Sequence, residues 1–360
     1  MPTPPPLSGR GAPGNVVSQR FGLAEREVDG DWLDARGEID GAAPKLRTEV
    51  TLERPRTIIA RNTSPDIGFD RSINPYRGCE HGCIYCYARP THAFHDLSPG
   101  LDFESKLFAK PEAAALLRAE LSRPGYTPAP IAIGTNTDGY QPIEREHRIT
   151  RAVIEVLSES NHPLIITTKS DRLLRDIDLL ADMAERGLLA VAISVTTLDA
   201  KVARTLEPRA AHPARRLAAV RALSDAGVPV QINVSPIIPA ITDHEIEAIV
   251  AAAAEAGAYR ASWIVLRLPL EVAPLFRAWL AAHYPERADK VMHIVKAIRG
   301  GRDNDPRFGS RMKGEGIWSD LIRTRFNRAA RAHGIDRPYV PLRNDLFRPP
   351  PRDGQLALAL

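Results

Sequence analysis

The sequence predicts an α/β protein built from six βα units, wound into an open or closed barrel. Three observations carry that expectation. Short runs rich in Ile and Val recur through the middle of the chain and are near-continuous rather than alternating, as strands buried on both faces require. Each is followed by a stretch of helical hydrophobic period, several with a capping residue before it and a glycine after it. The turn after the first strand is rich in cysteine, where a doubly wound sheet normally carries a glycine-rich phosphate turn.

In chain order, residues 1 to about 45 are rich in Pro, Gly and charge and poor in periodic apolar residues. The segment 1–60 is therefore expected to be an N-terminal arm, largely irregular. Two short strand-like pieces, 49–52 and 57–60, are separated by the breaker Pro55. The barrel core is expected over 61–290. Its first strand is read at 72–75 and its first helix at 111–122. Strands then follow at 131–133, 164–167, 189–194, 230–234 and 263–266, with helices at 149–158, 171–186, 213–226, 243–256 and 273–282. Ser170/Asp171 and Thr242/Asp243 are expected N-caps, and Gly187, Gly227 and Gly257 expected stops. From 291 the rhythm breaks, and 291–360 is expected as a C-terminal extension.

A chain of 360 residues has room for a barrel of about 250 residues plus extensions. No apolar run approaches the roughly eighteen residues of a membrane span. The opening residues lack the basic-then-apolar layout of a secretory signal. With only three cysteines, a reducing cytoplasm is the expected compartment and no membrane partner is expected. The net charge of +4 is unevenly spread, because residues 299–348 hold twelve Arg/Lys against six Asp/Glu, a local +6. That excess suits a nucleic-acid or phosphate surface and equally a solvated basic face.

The chemistry is concentrated in one loop. Cys79, Cys83 and Cys86 are the chain's only cysteines, spaced C-x3-C-x2-C with Tyr85 just before the last sulfur. An odd number with no partner elsewhere excludes a disulfide framework. A structural zinc site and a cubane cluster both normally take four protein ligands, so three point to a metal centre with one position left open. If 72–75 is the first strand, the loop lies at its C-terminal end, the face where α/β barrels place active sites. Gly78 and Gly82 let the backbone fold closely around a bound group. Zinc held by the cysteines with His92 or His95 remains open, in a nucleic-acid-binding module, as does an Fe–S electron carrier.

The spaced cysteines, the aromatic Tyr85 and the six βα units resemble the radical S-adenosylmethionine (SAM) superfamily. The closer resemblance is to its spore photoproduct lyase-like branch, also called DNA repair photolyase-like, over roughly residues 65–243. It rests on Gly134-Thr135-Asn136-Thr137-Asp138-Gly139-Tyr140-Gln141-Pro142-Ile143-Glu144 after the second strand, Thr168-Lys169-Ser170 after the third, and Ser194 at the end of the fourth. The resemblance implies a partial (β/α)6 TIM-type barrel of the radical SAM kind. It implies a [4Fe–4S] cluster on Cys79, Cys83 and Cys86, with SAM completing the open site, and reductive cleavage of SAM to a hydrogen-abstracting 5′-deoxyadenosyl radical. It assigns SAM contacts to Tyr85, Thr137, Lys169 and Ser194 and a radical relay to Tyr87, with Asp138 a further catalytic candidate. A flavodoxin or ferredoxin is the expected electron donor, and a nucleic-acid lesion the first expected substrate class.

One departure stands out. The lyase carries a hydrogen-donating cysteine near the position of Thr135, and this chain has no fourth cysteine. Of the remaining residues, Asp138 and Glu144 could be barrel-mouth carboxylates touching substrate but read more readily as turn and first-turn residues. Glu207 and Arg209 read as contacts to SAM or as a solvated loop pair. Asn233 and Ser235 are expected to line the cavity, Pro236 and Pro239 to stiffen a loop, and Trp263 and Trp279 to lie in the core. Arg302, Arg307, Arg311 and Lys313 are expected in a surface loop able to meet phosphates.

Overall fold

The computed structural model describes residues 9–21 and 46–351. Ten strands follow in chain order: β1 Glu49–Leu52, β2 Ile59–Arg61, β3 Arg71–Ile73, β4 Tyr76–Arg77, β5 Lys106–Ala109, β6 Ile131–Ile133, β7 Leu164–Thr168, β8 Leu189–Ser194, β9 Val230–Ile237 and β10 Arg260–Val265. β3, β6, β7, β8, β9 and β10 lie side by side in that order, all parallel, and β2 pairs antiparallel on the outer edge of β3. The two edges do not meet, so the sheet is an open, partial barrel of six parallel strands.

The crossovers are α1 Ala113–Leu121, α2 Ile149–Glu159, α3 Ile177–Glu185, α4 Pro213–Asp225 and α5 Ile246–Glu255, with α6 Val272–His283 after the last strand. Two further helices, α7 Ala288–Ile298 and α8 Ile317–Ala332, come from the basic extension. Ile294, Ile298, Ile322 and Phe326 on these helices join the same hydrophobic cluster as the strand residues Ile133, Ile166, Val191 and Ile232. The extension and the barrel therefore share one core. Trp263 and Trp279 are buried as expected, and Trp279 stacks on Phe276 while its N–H donates to the Thr205 carbonyl at 3.0 Å. No helix among the described residues is long and apolar enough to cross a membrane.

The departures are local. The first strand stops at Ile73, because Pro75 lacks the N–H that would extend the ladder. The helices expected at 171–186 and 243–256 open as 3-10 turns, Arg172–Asp176 and Asp243–Glu245. Ser170 Oγ accepts from the Arg172 N–H at 3.2 Å, but the Thr242 hydroxyl turns back to the Ile238 N–H at 3.0 Å instead of capping α5. Pro236 lies inside β9 rather than in a loop, where pairing with β10 is irregular between Trp263 and Val265 and so absorbs the missing donor. Gly187, Gly227 and Gly257 stop their helices with φ of 70°, 77° and 93°.

A second, three-stranded sheet matters for the site. β4 pairs antiparallel with β5, and β1 pairs parallel with β5 on its other edge. β4 precedes and β5 follows the cysteine loop, so the ladder ties both ends of that loop together above the C-terminal end of β3.

Candidate active site

The loop folds around its two glycines. Gly78 and Gly82 have φ of 71° and 67°. A Cβ at Gly78 would lie 2.8 Å from the Phe103 carbonyl oxygen, and one at Gly82 the same distance from a Glu104 carboxylate oxygen. The Cys79 N–H donates to the Phe103 carbonyl at 2.9 Å and the Cys86 N–H to the Cys83 carbonyl at 3.1 Å. Cys79 and Cys83 are buried and Cys86 is half-buried, all three as free thiols.

Three clamps hold this loop. The first is a buried ion pair, Arg89 Nη2 to Glu104 at 2.5 Å. The same guanidinium donates to the carbonyls of Gly82, Cys83, Pro99 and Gly100 at 2.9–3.1 Å. Glu104 in turn accepts the Gly11 and Ala12 N–H groups at 2.9 and 2.8 Å, fastening part of the N-terminal arm across the loop. The second clamp is Gln141, which accepts from the Glu80 N–H at 2.9 Å and donates to the Gly78 carbonyl at 3.2 Å. The third is Asp138, which faces His81 Nδ1 at 3.3 Å and accepts from the Thr168 hydroxyl at 2.8 Å, the Lys169 N–H at 2.8 Å and the Tyr140 N–H at 2.9 Å. Charge from His81 and these donors outweighs burial and holds the Asp138 carboxyl at about 2.

The mouth beside the loop carries a second charged group. Glu207 is buried and accepts from Arg216 and from the Tyr85 hydroxyl, as well as from Thr196 at 2.8 Å. Arg216 and then Lys169 overcome its burial and hold its carboxyl at about 2. Arg216 also donates to the Ser194 carbonyl at 3.0 Å. The Lys169 ammonium lies 5.7 Å from the Tyr85 ring centre, within electrostatic reach of Cys83 and Glu207. It is half-buried, and among the described residues it makes no hydrogen bond or ion pair. The Ser194 hydroxyl likewise has no hydrogen-bond partner among them.

Lys169, Tyr85, Ser194 and the cysteines are thus brought together. The Thr137 hydroxyl donates to the Tyr76 carbonyl at 3.1 Å. Tyr87 is half-exposed, and its hydroxyl donates to the Thr135 carbonyl. Glu144 is buried under Tyr76, with the Thr150 N–H at 3.0 Å and Arg175 at 2.9 Å, so it belongs to the structural side of the two readings above. Asn233 accepts from Gln231 and Ser262, and the Ser235 hydroxyl is buried without a partner. Arg209 pairs with Glu80 at 2.9 Å rather than with solvent. Arg89, Glu104 and Arg216 carry no signal in the sequence, because nothing in the local pattern marks a charge that folding will bury.

The donor set suits a cluster better than a single ion. Among the described residues no three His, Cys, Asp or Glu side chains converge as ligands of one metal ion. Cubane thiolates bind separate irons and need not converge on a point. His92, one of the two histidines of the zinc alternative, places Nε2 at 2.8 Å from the Lys106 carbonyl, and burial lowers it to about 4. Burial also pushes the Cys83 thiol up to about 12, so a cationic group is what would make thiolates of this loop.

Residues 73–253, half of the chain, match the Radical SAM superfamily. The chain belongs to the radical SAM superfamily. An uncharacterised protein of Mycobacterium bovis is 36% identical over 63% of this chain and 68% of its own length, and one of Methanocaldococcus jannaschii is 26% identical over 59% and 76%. Among solved structures, spore photoproduct lyase complexed with dinucleoside spore photoproduct aligns over 80% of both chains with a TM-score of 0.57 at 16% identity. That likeness is one of fold. It confirms the open α/β barrel, and family membership supports a radical SAM enzyme over the zinc-module and electron-carrier alternatives. The family implies a [4Fe–4S] cluster and SAM.

Proposed function

We propose that Cys79, Cys83 and Cys86 hold the [4Fe–4S] cluster and that SAM binds in the adjoining mouth. The observation that carries this reading is Lys169, a half-buried ammonium without a hydrogen-bond or ion-pair partner among the described residues, 5.7 Å from the Tyr85 ring centre and within electrostatic reach of Cys83. A partly desolvated cation with no acceptor calls for an anion, and the SAM carboxylate is the anion a radical SAM site supplies. Cluster and SAM together supply reductive cleavage of the sulfonium and a 5′-deoxyadenosyl radical.

The remaining roles belong to the chain's own residues. Lys169 binds the carboxylate, the unspent Ser194 hydroxyl donates to a SAM oxygen, and the Tyr85 ring forms a wall of the site. Thr137 retains only acceptor capacity at its hydroxyl, since its proton is spent on the Tyr76 carbonyl. Asp138 acts as a positioning residue, setting the Lys169 backbone against the cysteine loop through His81. Tyr87 stands at the mouth, its phenol against Thr135 where the lyase it resembles has a thiol. The arrangement supports a lyase-like carbon-radical reaction in a cytoplasmic enzyme reduced by a flavodoxin or ferredoxin. Its final hydrogen transfer differs from the lyase's because Thr135, not a fourth cysteine, stands near the donor position. A nucleic-acid lesion is the first substrate class to test.

Anaerobic reconstitution provides the test. The expected outcome is a brown protein whose reduced EPR signal changes on adding SAM and which releases 5′-deoxyadenosine with dithionite. A colourless protein with one tightly bound zinc, or a cluster that never cleaves SAM, would overturn the reading.

A further inference from the structure

The loop between α7 and α8 is fixed on the active-site end of β10. The buried Arg299 guanidinium donates to the Val265 and Leu266 carbonyls at 2.8 Å and to the Arg311 carbonyl at 2.7 Å, stapling the loop to the strand end. Lys313 adds a second staple, donating to the Trp263 carbonyl and lying 3.9 Å from that indole's centre. Arg311 is held by Asp66 through two contacts of 2.5 and 2.7 Å and lies 4.6 Å from the Phe308 ring centre. These cations are engaged.

Arg267 is not. It stands two residues past the end of β10, and its Nε is buried without any hydrogen-bond partner. Its closest polar contact is the Met312 sulfur, 3.5 Å from Nη1, a weak acceptor. No carboxylate pairs with it among the described residues: its neighbours are Arg311, Tyr87 and, within electrostatic reach, Asp66, whose two oxygens are already bonded to Arg311. A desolvated guanidinium without an oxygen acceptor is costly unless a ligand completes it. Its planar fork matches the two oxygens of a phosphate. Two exposed rings lie near this pair of cations: Tyr87, 51% exposed, is within electrostatic reach of both Arg267 and Arg311, and Phe308, 57% exposed, lies against the Arg311 guanidinium. Exposed rings in the neighbourhood of a guanidinium without an oxygen acceptor are a setting that can seat a nucleobase and its phosphate.

We propose that Arg267, with the exposed rings of Tyr87 and Phe308 in its neighbourhood and the stapled 299–313 loop beside it, is the subsite that receives a phosphate group of the substrate. The proposal deepens the functional reading above and rests on that reading only in taking this face as the reaction mouth.

The test uses the reconstituted holoenzyme and a fluorescein-labelled, mixed-sequence single-stranded oligonucleotide, followed by anisotropy across a salt series. Arg267→Gln is expected to weaken binding about tenfold and to reduce the salt slope by about one. Phe308→Ala, at an exposed ring, is expected to weaken it about tenfold with the slope kept. Arg323→Gln, an exposed α8 residue paired with Asp320, serves as the basic control and is expected to leave binding unchanged. Competition by a nucleoside monophosphate, lost in Arg267→Gln, identifies a single-nucleotide source of the phosphate. Competition by unlabelled oligonucleotide alone identifies a polymer. Equal losses in Arg267→Gln and Arg323→Gln, or wild-type affinity in both Arg267→Gln and Phe308→Ala, overturn the proposal. Failure of the functional reading is separately visible, as absence of 5′-deoxyadenosine from the wild-type protein.

Discussion

The Arg89–Glu104 pair offers the sharpest test of how the cysteine loop is held. Both side chains are fully buried, and the guanidinium serves four carbonyls besides the carboxylate. Arg89→Met removes the charge and most of the volume stays filled, so cavity formation is a minor cost. What remains is a buried Glu104 carboxylate with only two backbone N–H donors, and four loop carbonyls without a partner. Breaking a buried pair costs about 3–5 kcal/mol, much of a typical total of about 5–15 kcal/mol. Glu104→Gln should cost less, because the amide still accepts from one N–H, and the double variant should fall short of the sum by about 2 kcal/mol. Urea denaturation of the reduced protein under anaerobic conditions gives the three energies, and iron retention against a chelator reports the loop directly. A loss below about 1 kcal/mol for Arg89→Met, or strict additivity in the double variant, would refute the clamp.

Three other outcomes follow from the same geometry. Cys83→Ala should abolish iron and sulfide retention after reconstitution, and a full cluster in that variant would show that other ligands hold it. Lys169→Met should keep the brown chromophore while weakening SAM binding at least about tenfold, as a lost charge-assisted contact requires, measured by the SAM-induced EPR change. The Glu207 carboxyl is held at about 2, below its unfolded value, so the unfolded chain binds the extra proton at acid pH. Its stabilisation, up to roughly 3 kcal/mol, is therefore present above about pH 4.5 and lost as pH falls towards 2. Glu207→Gln should flatten that acid limb in urea melts, and parallel curves would contradict the assignment.

The sequence was legible where a residue's neighbours decide its fate. Ile131–Ile133 and Leu189–Ser194 form strands at the residues read from their apolar runs, and the three glycine stops fall where the helical period ends. It was illegible where a contact outside the local period decides. Thr242 has a capping side chain, but the Ile238 N–H claims it. Pro236 argues against a strand until the irregular β9–β10 pairing is seen. The site divides the same way. The cysteines and Lys169 stand out because their residue types are odd for their positions. Arg89, Glu104 and Arg216 do not, and Glu207 could not be placed between site and solvent, because a buried charge and a solvated one are the same letter. The segment from Gly134 to Glu144 could be quoted as a motif but not explained. Its Thr137, Asp138, Gln141 and Glu144 turn out to reach back to residues 76–81, which makes it a brace for the cysteine loop.

The free state of Lys169 itself has a cause. Glu207 lies within its electrostatic reach and would be its natural partner, leaving no cation for a ligand. Arg216, buried and bonded to the Glu207 carboxylate, to the Ser194 carbonyl and to the Ala211 carbonyl, takes that partner first. The mouth therefore holds one carboxylate against two cations, and the surplus charge sits on the residue nearest Cys83 and Tyr85. On this argument Arg216 governs SAM affinity without touching SAM. Arg216→Met should let Lys169 close on Glu207 and weaken SAM binding about tenfold, close to the loss in Lys169→Met. Adding Glu207→Gln to Arg216→Met should recover part of it, since Lys169 then has no carboxylate to close on. Retention of wild-type SAM affinity in folded Arg216→Met, or no recovery in the double variant, would mean that Lys169 is free for some other reason.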